Sequence, residues 1–530
     1  MSTDRTRSAA FFVGAGILLS RIAGLVRQKV FAHYFSTSLA ADAFNAAFKI
    51  PNLLQNLFGE GVLSASFIPE YVGLIAQKRE EEANRLAGAV LSALALIASV
   101  LVLAGVLAAP YLVGLIAPGF TGEKRELTVQ LTQILFPGAG LLVFSAWCLG
   151  ILNSHRRFFV SYTAPVVWNI AMIGALVGFG SGSSQTRLAV ILAWASVIGS
   201  ALQFFVQLPL VLKLARGLKL NLDFRQPSSR SVFRNFLPAF VGRGVVQISA
   251  YIDSFIASWL PNGSVATLAY AQVLYTLPVS LFGMAVTAAE LPVMASAVGS
   301  TEEVASYLRG RLDGGLERIA YFIIPSVIAF LALGDVLSAV LFESGKFTQR
   351  DSVWVWQVLA GSTVGLLAST WGRLYSSTFY ALRDTRTPLK FALVRVTLTC
   401  LLGYFAALHL PRILGVDEKL GVAGLTATAG IAGWVEFYLL RHAMTKRIGP
   451  TSIGRMHNVK LWIAALLSAV GAWGTKLALG GVPRFWMAVA VIGVYGVVYL
   501  VITTALGIRE ATALTGRFTR RLGLRPPPQA

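Results

Sequence analysis

Charge is scarce in this chain. Only 13% of its 530 residues are Asp, Glu, Lys or Arg, and the acids are the rarer half, 24 against 45 basic residues. A water-soluble protein of this length carries about twice that share of charge, so a soluble class is excluded. Cysteine is almost missing. Cys148 and Cys400 both sit inside apolar runs, which excludes a disulfide or thiolate-metal framework and leaves two small packing residues. The five histidines show no ligand spacing. No polar segment is long enough to form a soluble domain. That removes the large loop in which a membrane-bound glycosyltransferase or ligase keeps its acids and histidines, and no paired-carboxylate motif stands elsewhere.

What is present is apolar: 55% hydrophobic residues and a mean hydropathy of +0.68. Hydrophobic runs long enough to cross a bilayer fall near 9–34, 40–72, 86–117, 127–152, 160–182, 187–213, 233–260, 265–298, 316–342, 353–380, 388–410, 420–444, 459–480 and 485–507. The expected fold is an all-α polytopic membrane protein of about fourteen transmembrane helices. The first run is read as a retained span, because no small-residue cleavage site follows it and the helix continues into Ser20–Gln28.

The net charge of +21 does not point to nucleic acid, because the basic residues cluster in alternate short loops. Lys78 and Arg79, Arg156 and Arg157, Lys213 to Arg234, Arg309 and Arg311, Arg383 to Lys390, Arg441 to Arg447 and the tail from Arg517 form that set, and the loops between them hold few. This is the positive-inside pattern, and it puts both termini in the cytoplasm. The same clusters attract anionic membrane lipids.

The stretch 20–69 carries the chemistry. It is apolar, yet it holds Arg21, Arg27, Asp42, Lys49 and Glu60. Each charge near a bilayer centre costs about 2.5–3.5 kcal/mol, so such groups turn toward partners or water. On a continuous helix Asp42, Asn45, Lys49, Asn52, Asn56 and Glu60 fall on one stripe, roughly 27 Å long at about 1.5 Å per residue. Ser20, Gly24 and Arg27 form a second stripe, with Arg21 on its shoulder. Two uses fit: the wall of a wet cavity, or a neutralised network that sets helix packing. The length of the polar row favours the cavity.

The chain also repeats weakly. Leu57-Phe58-Gly59 before Pro69 recurs as Leu281-Phe282-Gly283 before Pro292, and His155-Arg156-Arg157 before Pro165 recurs as Arg383 to Arg386 before Pro388. An offset that spans six helices preserves orientation, so the expectation is two six-helix lobes, 1–220 and 221–446, in a parallel pseudo-two-fold repeat. Residues 447–530 add two further helices, as a lipid-tail groove or a packing appendage, and a basic tail. Two lobes around a midplane cavity are an alternating-access design. In the second lobe Arg243, Asp253 and Gln272 are polar groups inside spans, and Glu290 reads as facing cytoplasmic water.

SRIAGLVR (20–27), ADAFNAAFKIPNLLQNLFGEGVLSASFIP (41–69), LNSHRRFFVSYTAPVVWNI (152–170) and STFYALRDTRTPLKFALV (377–394) resemble the MurJ/MviN family of lipid II flippases, in the superfamily of multidrug, oligosaccharidyl-lipid and polysaccharide exporters. The resemblance covers essentially the whole chain. It implies a flippase, not an enzyme, carrying an undecaprenyl-diphosphate-linked peptidoglycan precursor from the cytoplasmic to the periplasmic leaflet of the bacterial inner membrane. It implies that Ser20, Arg21, Arg27, Asp42, Lys49 and Glu60 match cavity positions that engage the diphosphate. Asn52, Asn56, Arg243 and Gln272 complete the candidate substrate-binding set. No cofactor and no metal site is implied. Na+ or H+ coupling, with Asp253 as the candidate residue, and the membrane potential are the energy sources it suggests. The chain departs from the family pattern at three places: Gln55 and Asn56 stand where two arginines are typical, Gln272 and Val273 where an acid–arginine pair is, and Gln28 where an acid is frequent. The departures keep two alternatives open: export of another lipid-linked oligosaccharide, and a transport-inactive scaffold whose partners are cell-wall synthesis enzymes.

Overall fold

The computed structural model describes residues 2–58, 60–221, 226–234, 236, 251–452 and 454–521; within it, 2–14, 60–61, 64–65 and 517–521 are described by their backbone only. Among the described residues ten helices are long and apolar enough to cross a membrane, and an eleventh forms if the bent pair Gln349–Thr363 and Leu366–Ala381 is one span. All coincide with expected spans. Three expected runs lie outside that set. The run 9–34 is helical, as part of α1 (Ser2–Phe35). The run 40–72 is helical on both sides of residue 59, which lies outside the described residues: α2 (Leu39–Phe58) and α3 (Glu60–Ala76). Most of 233–260 lies outside the described residues.

The chain divides into two compact units, one of residues 1–266 with 344–347, the other of 267–343 with 348–530. In the first, α4 (Glu80–Ile116), α5 (Gly122–Ser154), α6 (Phe158–Phe179) and α7 (Gln185–Leu214) follow α3, and a short helix α8 (Ile252–Ala257) comes later. The central helix is α5, which packs on α2, α3, α4 and α7. Its buried Trp147 donates to the Ala87 carbonyl at 3.2 Å. Gln203 and Gln207 of α7 both reach Ser145 Oγ, at 2.9 and 2.6 Å. The two amides thus find a shared acceptor inside the bundle, where hydrocarbon surroundings offer none.

The helix Ser264–Ala295 begins in the first unit and continues into the second, where it is followed by Thr301–Phe342, the bent pair, Arg386–Leu408, Gly421–Ile448, Arg455–Ala478, Arg484–Ala505 and Arg509–Arg521. The bend of 44° comes where Gly365 meets Gly430; a Cβ on Gly365 would lie 2.4 Å from the Gly430 Cα. The last two long helices are stitched to Thr301–Phe342. Pro325 has no N–H, so the Tyr321 carbonyl loses its helical partner. The Tyr499 hydroxyl donates to that carbonyl at 2.7 Å, and Tyr495 does the same to the Pro325 carbonyl at 2.7 Å. The first unit uses the same device: Pro110 frees the Val106 carbonyl, and Gln133 Nε2 donates to it at 3.3 Å.

The second copy of Leu-Phe-Gly falls inside a π-helical segment, Val279–Met284; Gly59 of the first copy lies outside the described residues. The basic loops recur in backbone detail. Arg156 and Arg383 adopt left-handed φ of 58° and 59°. Arg157 N–H donates to the Leu152 carbonyl and Asp384 N–H to the Phe379 carbonyl, at 2.8 and 2.9 Å. These are matching Schellman closures of a helix end. Asp384 then accepts from the N–H groups of Arg386 and Thr387, at 3.0 Å each, and from Arg447 at 2.6 Å. The hydrogen bonds from Thr387, and then the Arg447 charge, hold its carboxyl below the ordinary value.

Glu290 corrects an expectation. It does not face water. Its side chain is 3% exposed and is held by Arg311 at 2.6 Å and Arg318 at 3.0 Å. Both arginines come from the neighbouring helix Thr301–Phe342, which sequence spacing does not reveal.

Candidate functional site

The polar stripe of α2 divides into two environments. Asp42, in the first turn, is fully buried. Lys124 of α5 donates to Oδ2 at 2.6 Å, Gly263 N–H donates to the same oxygen at 2.7 Å, and Ala266 N–H donates to Oδ1 at 2.7 Å. The carboxylate therefore caps the helix that starts at Ser264, where unpaired N–H groups and the helix dipole favour an anion. Lys124 is completed by Asn262 Oδ1 at 3.2 Å and by the Phe120 ring at 4.0 Å. Both oxygens of Asp42 are thus engaged by protein donors. Asn45 also turns back, donating to the Ala41 carbonyl at 2.8 Å.

Two turns on, Lys49 is half-buried. Its amine donates to the Ser254 hydroxyl of α8, and Asp253 acts on it electrostatically. The structure thus brings together two residues that the sequence singled out separately. Asn52 and Asn56 follow, both half-buried. Glu60 belongs to the next helix, and its side chain lies outside the described residues, as does all of Arg243.

On α1, Ser20 is half-buried and Arg21 exposed. Arg27 lies against α6, its Cζ 4.7 Å from the Trp168 ring centroid and its Nη1 3.8 Å from the Met172 Sδ. Trp168 is fixed in turn by its Nε1, which donates to the Ser196 carbonyl and hydroxyl at 3.1 and 3.2 Å. Phe48, beside Lys49, packs against Trp168 in a tilted arrangement, ring centroids 5.9 Å apart. Arg27 makes no ion pair among the described residues. A guanidinium held by an aromatic face is oriented but keeps its hydrogen-bonding capacity for an anion. Gln272, in the second unit, is exposed and donates to Thr276 at 3.2 Å. Among the described residues no three His, Cys, Asp or Glu side chains gather as a metal site.

Residues 31–505 match the family model described as lipid II flippase MurJ. The chain belongs to the MurJ family. It is 32% identical over 488 residues to the lipid II flippase MurJ of Burkholderia cenocepacia, covering 91% of this chain and 90% of that one. It is 32% identical over 437 residues to the probable lipid II flippase MurJ of Rhizobium meliloti, covering 81% and 78%. A solved MurJ structure, in an inward closed conformation, superposes with a TM-score of 0.74 at 23% identity over 94% of this chain and 98% of that one. An inward-facing multidrug transporter of the MATE family, from the MOP superfamily, gives 0.62 at 20% identity, over 81% and 94%. The MurJ family is one of multi-pass membrane transporters, not enzymes.

Arg373, Arg395 and Glu436 are among the ionised residues inside spans that sequence reasoning passed over. Each stands in a hydrophobic run, the same signal that singled out Arg27 and Lys49.

Proposed function

We propose that this chain flips lipid II, an undecaprenyl-diphosphate-linked peptidoglycan precursor, from the cytoplasmic to the periplasmic leaflet of the bacterial inner membrane. Both termini are cytoplasmic in this reading. The repeat-defined lobes 1–220 and 221–446 alternate between two states that expose the headgroup site to one leaflet, then the other, while the prenyl tail stays in lipid. One observation carries the reading. Arg27, in the expected first span, is positioned by an aromatic ring and a thioether, with no ion pair to a carboxylate among the described residues. Such a cation answers a diphosphate through charge-assisted, bidentate hydrogen bonds. Lys49 adds a second cation, with Asp253 as the coupling candidate beside it. Asp42 serves the scaffold rather than the cargo. Anionic lipids meet the basic loops, and cell-wall synthesis enzymes are the expected protein partners.

The test is rescue of a cell depleted of its own lipid II flippase. The wild-type chain restores growth, while Arg27→Ala and Lys49→Ala, at equal membrane abundance, do not. Failure of the wild-type chain to rescue, or full rescue by both variants, overturns the assignment. Gln55, Asn56, Gln272 and Val273, uncharged at positions where the family resemblance implies charge, favour one alternative, another prenyl-diphosphate glycan. Accumulation of that glycan instead of lipid II in the depleted cell identifies it.

A further inference from the structure

Two arginines share the buried carboxylate of Glu290, where one would neutralise it. Glu290 stands on the helix Ser264–Ala295 and both arginines on Thr301–Phe342. Arg311 reaches Oε2 through Nε at 2.8 Å and through Nη2 at 2.6 Å, and Arg318 reaches Oε1 through Nη1 at 3.0 Å. The three side chains together carry a surplus of one positive charge. The neighbouring acids of the same helix are engaged elsewhere. Asp313 accepts from Ser452 N–H at 3.0 Å, and Glu317 Oε1 lies 3.4 Å from the place of a Cβ on Gly454.

The arginines are not closed over. The Arg318 side chain is 53% exposed and that of Arg311 35%, against 3% for Glu290. Each guanidinium carries five N–H donors, and most remain once the contacts with Glu290 are made. The backbone beneath is uneven. Gly314 and Gly315 follow Arg311 by three and four residues, so both lie beside the row from Arg311 to Arg318. A Cβ on Gly315 would stand 2.7 Å from Leu374 Cδ2 and 3.8 Å from Glu290 Cγ. A Cβ on Gly314 or Gly310 would meet nothing within 4 Å among the described residues. One flank of the arginine row is thus packed against protein, and the other is open.

The opening stands at a membrane boundary. Arg309 and Arg311 form the basic loop between the expected spans 265–298 and 316–342. Arg318 is two residues inside its run, about 3 Å from the end of the apolar stretch. One turn deeper the surface becomes apolar: Phe322 stacks on Phe282, ring centroids 4.3 Å apart and planes 3° apart. Phe282 belongs to the π-helical segment Val279–Met284, and such segments are rare and recur at functional sites. Cations at the rim and stacked rings on the hydrocarbon side match the two parts of a phospholipid, a headgroup phosphate and the start of an acyl chain.

We propose that Arg311 and Arg318, beside the open flank at Gly314, bind the phosphodiester of an anionic phospholipid in the leaflet at this end of the helices. Glu290 is the fixed counter-ion that orients both guanidinium groups. A phosphodiester carries a single negative charge, which cancels the surplus, whereas a diphosphate overshoots it. Arginine grips phosphate oxygens through paired N–H donors, and basic pockets between transmembrane helices are where lipid headgroups seat. The site is separate from Arg27 and Lys49 and does not depend on the cargo. A lipid held there ties Ser264–Ala295 to Thr301–Phe342 at the membrane surface.

The experiment titrates the full chain, in detergent micelles, with phosphatidylglycerol or phosphatidylcholine and counts the bound lipids by native mass spectrometry. Wild type holds one phosphatidylglycerol about tenfold more tightly than phosphatidylcholine. Arg318→Gln and Arg311→Gln each lose that preference. Gly314→Leu keeps every charge, fills the open flank and raises helix propensity; it loses the preference while unfolding no earlier than wild type. Glycerophosphoglycerol, the same headgroup without acyl chains, competes about a hundredfold less well than the lipid. An equal preference in wild type, Arg318→Gln and Gly314→Leu overturns the site. Displacement of the lipid by inorganic phosphate at matching concentration assigns the arginines to a soluble phosphate. Undecaprenyl diphosphate that binds more tightly than phosphatidylglycerol, and loses that affinity in Gly314→Leu, assigns them to the cargo. Either of these two results overturns the phospholipid assignment and leaves the cargo reading standing.

Discussion

Replacing Asp42 by Asn tests how the first unit is held together. The carboxylate has no exposed surface and receives Lys124, Gly263 N–H and Ala266 N–H, all within 2.7 Å. Asn keeps one oxygen for the backbone donors but removes the charge. Lys124, itself buried, then lacks its counter-ion and retains only Asn262 and the Phe120 ring. Breaking one partner of such a pair costs about 3–5 kcal/mol, whereas replacing both is often near neutral. Asp42→Asn and Lys124→Met should therefore each destabilise by that amount. The double variant should recover part of it, since the amide oxygen still accepts from one of the two backbone N–H groups and no stranded cation remains nearby. Unfolding by SDS titration in mixed micelles reads the difference. Binding of undecaprenyl diphosphate, measured on the folded fraction, should be unchanged in the double variant. Single variants within about 1 kcal/mol of wild type, well short of that cost, a double as unstable as their sum, or a stable double that no longer binds would refute this role for Asp42.

Tyr499→Phe should cost about 1–3 kcal/mol, the penalty for a buried acceptor left unpaired. In a Pro325→Ala background the restored N–H satisfies the Tyr321 carbonyl, so the same change should cost clearly less; equal costs in a double-mutant cycle would contradict the orphan-carbonyl account. The Asp384 carboxyl, held below its ordinary value of 3.8, stabilises the 383–387 turn at any pH above that value. The contribution falls away as acid titrates the folded group, because the unfolded state takes up the proton first. Hydrogen exchange at Arg386 and Thr387, corrected for intrinsic rates, should show constant protection near neutral pH and a loss in acid that Asp384→Asn abolishes.

The spans were legible because hydrocarbon thickness imposes a minimum apolar length, and composition over such a window reports it directly. The π-helical segment Val279–Met284 was not, since averaging over a window hides a local irregularity. The alternate placing of basic loops and their recurrence were readable, and the matching turns at Arg156 and Arg383 give the recurrence a backbone counterpart. The site was legible only as a set of suspects. Periodicity puts Asp42 and Lys49 on one stripe, but it does not say what the opposite surface offers. Asp42 meets Lys124 and the 263–266 backbone, both far away in sequence. Lys49 meets Ser254. Arg395 and Glu436 carry as strong a signal as Arg27, but each stands alone at the middle of its run, without the long polar stripe that marks α2.

The tyrosine stitches have a consequence for how the chain is made. Synthesis delivers the N-terminal part first, so the helix holding Pro325 is inserted long before Tyr495 and Tyr499 leave the ribosome. During that interval the Tyr321 carbonyl has no protein donor from the final hairpin, and the helix should flex at its proline. The last pair of helices thus acts as a closing clasp, and a ribosome that stops short of residue 495 would release a chain with a loose joint in its longest helix.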